Sequence, residues 1–146
     1  MANKPTVEDI RVFMRDRLAR NDLLERFEFT DEEIEKAMLF AVDSYNLKPP
    51  IQIIATIGNF PYRPLLMLGT AATLLLGESM AQLRNELDYS DGGIHVGVDN
   101  KWQKYLQFAQ TLQQQFDQIA SEIKMQINAD AAFGGTASPY IGLPIL

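Results

Sequence analysis

Residues 61–89, P-Y-R-P-L-L-M-L-G-T-A-A-T-L-L-L-G-E-S-M-A-Q-L-R-N-E-L-D-Y, place an apolar helix in the middle of the chain. Pro64 suits the opening turn of a helix, where its missing N–H would have found no partner anyway. From Leu65 to Leu76 every residue is apolar, Gly or Thr, so about three turns are apolar on every face. A helix of that kind has to be surrounded, by other helices of its own fold or by neighbouring subunits. The apolar run is shorter than the about 20 residues that a bilayer-crossing helix needs, because Glu78, Arg84, Glu86 and Asp88 soon follow. Gly69, Thr73 and Gly77 recur at every fourth position and form one thin stripe, where another backbone can approach closely.

Around this helix the chain has 146 residues, 47% of them hydrophobic and 22% charged, the balance of one globular domain with a core of its own. It has no cysteine, which excludes disulfides, thiolate catalysis and Cys-based zinc sites. The opening M-A-N-K-P-T-V-E-D has no apolar segment of a secretory signal, so a protein that stays in the cytoplasm is expected. A formal net charge of −6 argues against holding nucleic acid by neutralising its phosphates.

Thr6 and Asp9 form a weak cap, and Val7, Ile10, Phe13, Met14 and Leu18 follow at helical spacing, which predicts a helix over 7–19. Arg11, Arg15, Asp16, Arg17 and Arg20 form its polar side, read as a solvated mixed-charge face or as an inter-subunit salt-bridge surface. Thr30-Asp-Glu-Glu33 is a clearer capping box, with acidic residues where they favour the helix dipole. It opens an amphipathic helix at Asp31, with Ile34, Ala37, Met38, Ala41, Val42 and Tyr45 inward, ending before Lys48-Pro49-Pro50. Of the carboxylates Asp31, Glu32, Glu33 and Glu35, only the first and last share a face, so capping explains them better than a metal or acid–base cluster does. The apolar, uncharged segment 50–61 predicts an extended connection, with a short strand around 51–57.

Beyond the central helix, Asp91, Gly92 and Gly93 form a turn, and Ile94, Val96 and Val98 alternate with His95 and Gly97. Alternation predicts a half-exposed strand or a projecting hairpin, which must pair with 51–57 or with another chain to be stable. His95 is the one histidine, and neither a serine-centred motif nor HExxH accompanies it. From a cap at Asp99 or Asn100, a long helix is predicted to about 129. Trp102, Tyr105, Ala109, Leu112, Phe116, Ile119 and Ile123 give it a heptad seam, and Gln103, Gln107, Gln110, Gln113, Gln114 and Gln118 form the opposite, nearly uncharged face. The two long helices are expected to form an antiparallel hairpin of similar lengths.

The last segment, A-A-F-G-G-T-A-S-P-Y-I-G-L-P-I-L, has no charge, and its glycines and prolines exclude regular helix. Phe133, Tyr140, Ile141, Leu143, Ile145 and Leu146 are too apolar for a solvated tail. They have to dock on the domain's own core or on another subunit, and the Gly134-Gly135 hinge favours the subunit. The expected fold is therefore mainly α: a helical bundle over 1–130, with two long antiparallel helices, two shorter N-terminal ones and a projecting β-like loop, followed by an extended apolar arm over 131–146. The residues form no catalytic constellation, and no enzyme activity, metal or cofactor is expected.

The succession D-I-R-V-F-M-R-D-R, F-T-D-E-E-I-E-K-A-M, A-V-D-S-Y-N, P-P, F-P-Y-R, R-N-E-L-D-Y-S-D-G-G and G-G-T-A-S-P-Y resembles small virion structural proteins of tailed bacteriophages, of the head-to-tail connector or adaptor type. The resemblance spans nearly the whole chain. It implies a homo-oligomeric ring, commonly dodecameric, that is assembled in the host cytoplasm and sits under the portal protein at the capsid vertex, above a downstream tail or neck protein. It places Tyr140 through Leu146 against the portal and Asp91 through Asp99 toward the DNA channel or the tail. DNA would pass an acidic wall without specific binding, and no membrane would be involved. A tail or baseplate component, or a subunit of a non-viral helical complex, is the alternative.

Overall fold

The computed structural model describes residues 4–17, 26–50, 54–85, 90–91, 94–95 and 101–133. The protein is mainly helical: α1 (Val7–Met14), α2 (Asp31–Leu47), α3 (Arg63–Arg84) and α4 (Lys101–Phe133). Between α3 and α4, Ser90 pairs with His95 and Asp91 with Ile94 in an antiparallel contact two residues long.

Both N-terminal helices open on complete capping boxes. Thr30 Oγ1 accepts from the Glu33 N–H at 3.2 Å, and the Thr30 N–H donates to Glu33 Oε2 at 2.7 Å. Thr6 and Asp9 repeat the arrangement at 3.2 and 2.7 Å, so the cap that looked weak in sequence is fully formed. Each box satisfies donors that helix geometry leaves without partners. Thr30→Ala is expected to lower stability by about 1 kcal/mol, read as a lower denaturant midpoint with an unchanged slope.

α1 stops at Met14, five residues before the sequence expectation, because the chain turns there to use Asp16. Arg15 is left-handed, with φ of 61°. The turn carries Asp16 into the interior, where its carboxylate takes a 2.8 Å bond from Arg11 Nη1 and accepts the backbone N–H groups of Glu28 at 2.8 Å and Phe29 at 3.2 Å. Arg11 is 5% exposed and Asp16 3%. This part of the expected solvated face is therefore a buried ion pair, extended by Asp31 on the second Arg11 nitrogen. Arg20 lies outside the described residues.

α2 buries Ile34, Ala37, Met38, Ala41, Val42 and Tyr45, the six positions its periodicity selects. It ends at a cis Pro49–Pro50 peptide. The described part of the next segment forms no strand. The Asn46 side chain instead donates to the Ala55 carbonyl and accepts the Ala55 N–H, both at 2.8 Å, and so meets the backbone needs that a strand partner would have met.

α3 buries Leu65, Leu66, Gly69, Thr70, Ala71, Ala72, Leu74, Leu75 and Ser79. On one side Ile10, Phe29, Ile34, Ala37 and Met38 gather around Leu74; on another Tyr45, Leu65, Phe116 and Ala120 pack with Phe60, Leu68 and Ile123. By length and composition α3 could cross a membrane, with 22 residues and a mean hydropathy of 1.3 over its most apolar window, which corrects the expectation that it is too short. Half of that window is buried inside the fold, as the core helix of a bundle is.

α4 runs 33 residues, about 50 Å, and exceeds α3 by half its length rather than matching it. It continues to Phe133, so residues 131–133 belong to the helix and not to an extended arm. The expected heptad seam holds at Ala109 and Phe116, and Ile123 still packs beside them, but Ala120 and Lys124 are buried while Ile119 is 40% exposed. A straight helix repeats every 3.6 residues, so its buried stripe drifts off a 3.5-residue seam. Buried Lys124 donates to the carbonyls of Asn46 and Lys48 and lies 4.7 Å over the Tyr45 ring, closing the C-terminal end of α2. Burial, with Lys48 nearby, pushes its ammonium pKa down.

Candidate functional site

Of the stripe on α3, Gly69 is the position where the backbone is closely approached. A Cβ there would fall 2.7 Å from Phe116 Cε2 and 2.9 Å from Ala41 Cβ. Thr73 turns its hydroxyl back to the Gly69 carbonyl at 2.9 Å. Gly77 has no atom within 4 Å of where its Cβ would stand, so the close-packing stripe ends before it. The reason is that Gly69 faces Phe116 and Ala41, whereas Gly77 opens into a groove beside Phe40 and Ala81.

That groove is about 390 Å³, and α3 lines another. The other, about 740 Å³, lies between the end of α1, Leu75 of α3 and the first turns of α4. Phe13, Met14, Tyr105, Phe108 and Leu112 give it apolar walls, and Arg15, Lys101 and Lys104 also line it. Phe13 is 45% exposed and Phe108 60%, large aromatic surfaces in contact with water. The Arg11–Asp16 pair borders this site, since it joins α1 to the turn after Met14, whose Arg15 lines the groove.

The Tyr105 hydroxyl also makes a long 3.5 Å contact to Glu28 Oε1. Burial pushes the Glu28 carboxyl up, with Glu78 and Asp16 adding repulsion, and burial likewise pushes the Tyr105 phenol up, with Glu28 and Glu78 beside it. A carboxyl with a raised folded pKa binds its proton more tightly when folded, so its contribution favours the fold at low pH and is lost as pH rises through the raised pKa. Glu28→Gln should therefore raise the melting temperature at pH 7 and leave it nearly unchanged near pH 4. A thermal melt at each pH reads both values.

The expected loop and arm residues are brought into no common site among the described residues. Asp91, Ile94 and His95 lie in the two-residue pairing. Gly92, Gly93, Val96 and Val98 lie outside the described residues, as do Tyr140, Ile141, Leu143, Ile145 and Leu146. Phe133 is the last residue of α4 and is 75% exposed. Among the described residues, no three His, Asp or Glu side chains gather where they could hold a metal ion. Sequence reasoning missed Phe108, whose signal was available: an aromatic residue off the apolar seam, on the glutamine side of the helix.

No known protein family matches the chain, and neither does any characterised protein or solved structure.

Proposed function

We propose that this protein is a structural subunit of a tailed-phage virion, which forms a ring joining the portal to the tail. The observation that carries the reading is the apolar surface its own fold leaves uncovered. Leu76, Met80 and Leu83 of α3 stay 42%, 58% and 49% exposed at helical spacing, and Phe13 and Phe108 at the larger groove and Phe40 at the smaller are exposed as well. Large apolar patches on a folded domain mark surfaces that meet another protein. The order of contacts, with Leu65 packed near Ala120 and Leu75 near Leu112 and Tyr105, supports an antiparallel run of α3 and α4. In this reading the segment 91–99 is the one that faces the DNA channel or the tail, and the acidic balance lets DNA pass without being held. The arm beyond α4 is a docking element and not part of the core.

Deleting residues 139–146 should leave a soluble, helical protein with an unchanged melting temperature that no longer joins its assembly. Circular dichroism and co-sedimentation with portal-bearing particles test this. Loss of helix content, or attachment that survives the deletion, would count against the reading. A subunit of a non-viral helical complex would share the uncovered apolar surface, and is separated by the absence of portal and tail genes beside this one.

A further inference from the structure

We infer that the open stripe of α3 formed by Leu76, Met80 and Leu83 receives the exposed last turns of α4 from a second copy of this chain, in a head-to-tail contact. The proposal rests on the ring reading and names the contact that would build the ring.

The acceptor is left open by the way α2 and α4 part on α3. Both meet it at Gly69, where an added Cβ would touch Ala41 and Phe116. Further along, α2 keeps to the side of Thr73, Gly77 and Ala81, with its Phe40, while the first turns of α4 keep to the side of Leu75. Leu76, Met80 and Leu83, spaced by four and three, form one stripe between them.

The chain's own undescribed segments do not reach along this stripe. Residues 18–25 start and end near Glu28, whose N–H Asp16 holds. Glu28 feels the charge of Glu78, which stands two residues from both Leu76 and Met80 and so on the opposite face of α3. The nine steps from Arg17 to Arg26 reach at most about 16 Å out and back, too little to round a helix about 10–12 Å across and return. Residues 86–89 and 96–100 lead to and from the pairing of 90–91 with 94–95, which makes no packed interface with α3. Residues 1–3 precede α1, which Asp9 ties to Arg63, about 25 Å along α3 from Met80. Residues 51–53 are held between Pro50 and Ile54, beyond the end of α2. The C-terminal arm has thirteen residues after Phe133, at most about 47 Å at full stretch. Met80 lies about 42 Å from Phe133 along the antiparallel run that Gly69 and Phe116 set in register, so only Leu146 would draw level with it.

The occupant is α4 itself. Every residue from Met125 to Phe133 is exposed. Met125, Ala129, Ala132 and Phe133 recur at i, i+4, i+7 and i+8, the spacing of a helix that lays one face into an apolar groove. Met125 to Ala132 covers about 10 Å, as does Leu76 to Leu83, and the alanines let two helices come close. Charge matches as well: Arg84, one turn beyond Met80, borders the acceptor, and Glu122 and Asp130 border the donor. This match in length and charge singles out a second copy. Within one chain Met125 and Met80 stand about 30 Å apart along continuous helices and cannot meet. A donor at one end of the molecule and an acceptor at the other make a heterologous interface, which closes into a ring when the rotation allows.

The absence of native cysteine makes the contact directly readable. The full chain carrying Met80→Cys with Ala132→Cys, and in parallel with Ala129→Cys, is oxidised mildly, both free at high concentration and on portal-bearing particles. The expected result is a ladder of disulfide-linked chains on a non-reducing gel, and only dimers from an equimolar mixture of the single variants. Arg84→Glu in the double-cysteine chain should remove most of the ladder with helix content unchanged, and Asp130→Arg added to it should bring the ladder back. Absence of linked chains in both settings would overturn the proposal. So would an internally linked monomer, or single Met80→Cys chains that link to one another as readily as the mixture does, the mark of two equal faces meeting. Links that form only after residues 134–146 are deleted would also overturn it, by showing that the arm covers the donor. Closed rings on particles with both thiols reduced would sink the contact and leave the ring; a ladder whose products never close would do the reverse.

Discussion

Asp16→Ala is expected to cost about 3 kcal/mol, at the lower end of the range for removing one partner of a buried ion pair. Among the described residues Asp16 is the buried carboxylate paired with Arg11, since the other partner, Asp31, has its side chain 76% exposed. Its loss strands a guanidinium in the interior and removes the acceptor of the Glu28 and Phe29 N–H groups. At roughly 3 °C per kcal/mol for a chain of this size, the melting temperature should fall by about 10 °C. Because the same carboxylate shapes the turn after α1, the larger groove should loosen as well. A loss below about 1 kcal/mol in urea unfolding would show that Arg11 finds water or another partner, and that the pair does not hold α1 in place.

Gly69→Leu should be damaging on a similar scale, because even the first added carbon would overlap Phe116, which is fully buried and has nowhere to move. Overfilling a packed core costs about 1–3 kcal/mol and occasionally more, and a leucine at this position adds three further carbons. Gly77→Ala is the matched control on the same helix. Its new methyl meets open space, so helix propensity alone acts, and stability should rise by up to about 1 kcal/mol. Parallel melts of the two variants with opposite signs are the expected result; equal signs would remove the distinction between a packed and an open glycine.

The helices were legible where a local rule decides them. The inward positions of α2 and both capping boxes follow from spacing within a few residues, and the structure repeats them. The features that escaped are decided by distant residues. Nothing near Asp16 says that the N–H groups of Glu28 and Phe29 will come to it, so an Arg and an Asp that looked solvated are buried. Nothing beside Lys124 marks it as buried, because its acceptors, the carbonyls at the end of α2, are more than seventy residues away. In the described part of the strand expected around 51–57, the backbone of Ala55 pairs with the side chain of Asn46, which apolar alternation cannot reveal, while 51–53 lie outside the described residues. Of the site, the apolar character of the arm is plain in the sequence, whereas the groove exists only once α1 meets α4.

The central claim is that this chain builds a ring at a virion vertex. An electron cryomicroscopy map of portal-bearing particles assembled with the full chain tests it most directly. The account predicts a closed ring of copies beneath the portal, with α3 and α4 packed side by side in each. Density for single, separated copies, or no density at the vertex while the protein remains folded in solution, would contradict it.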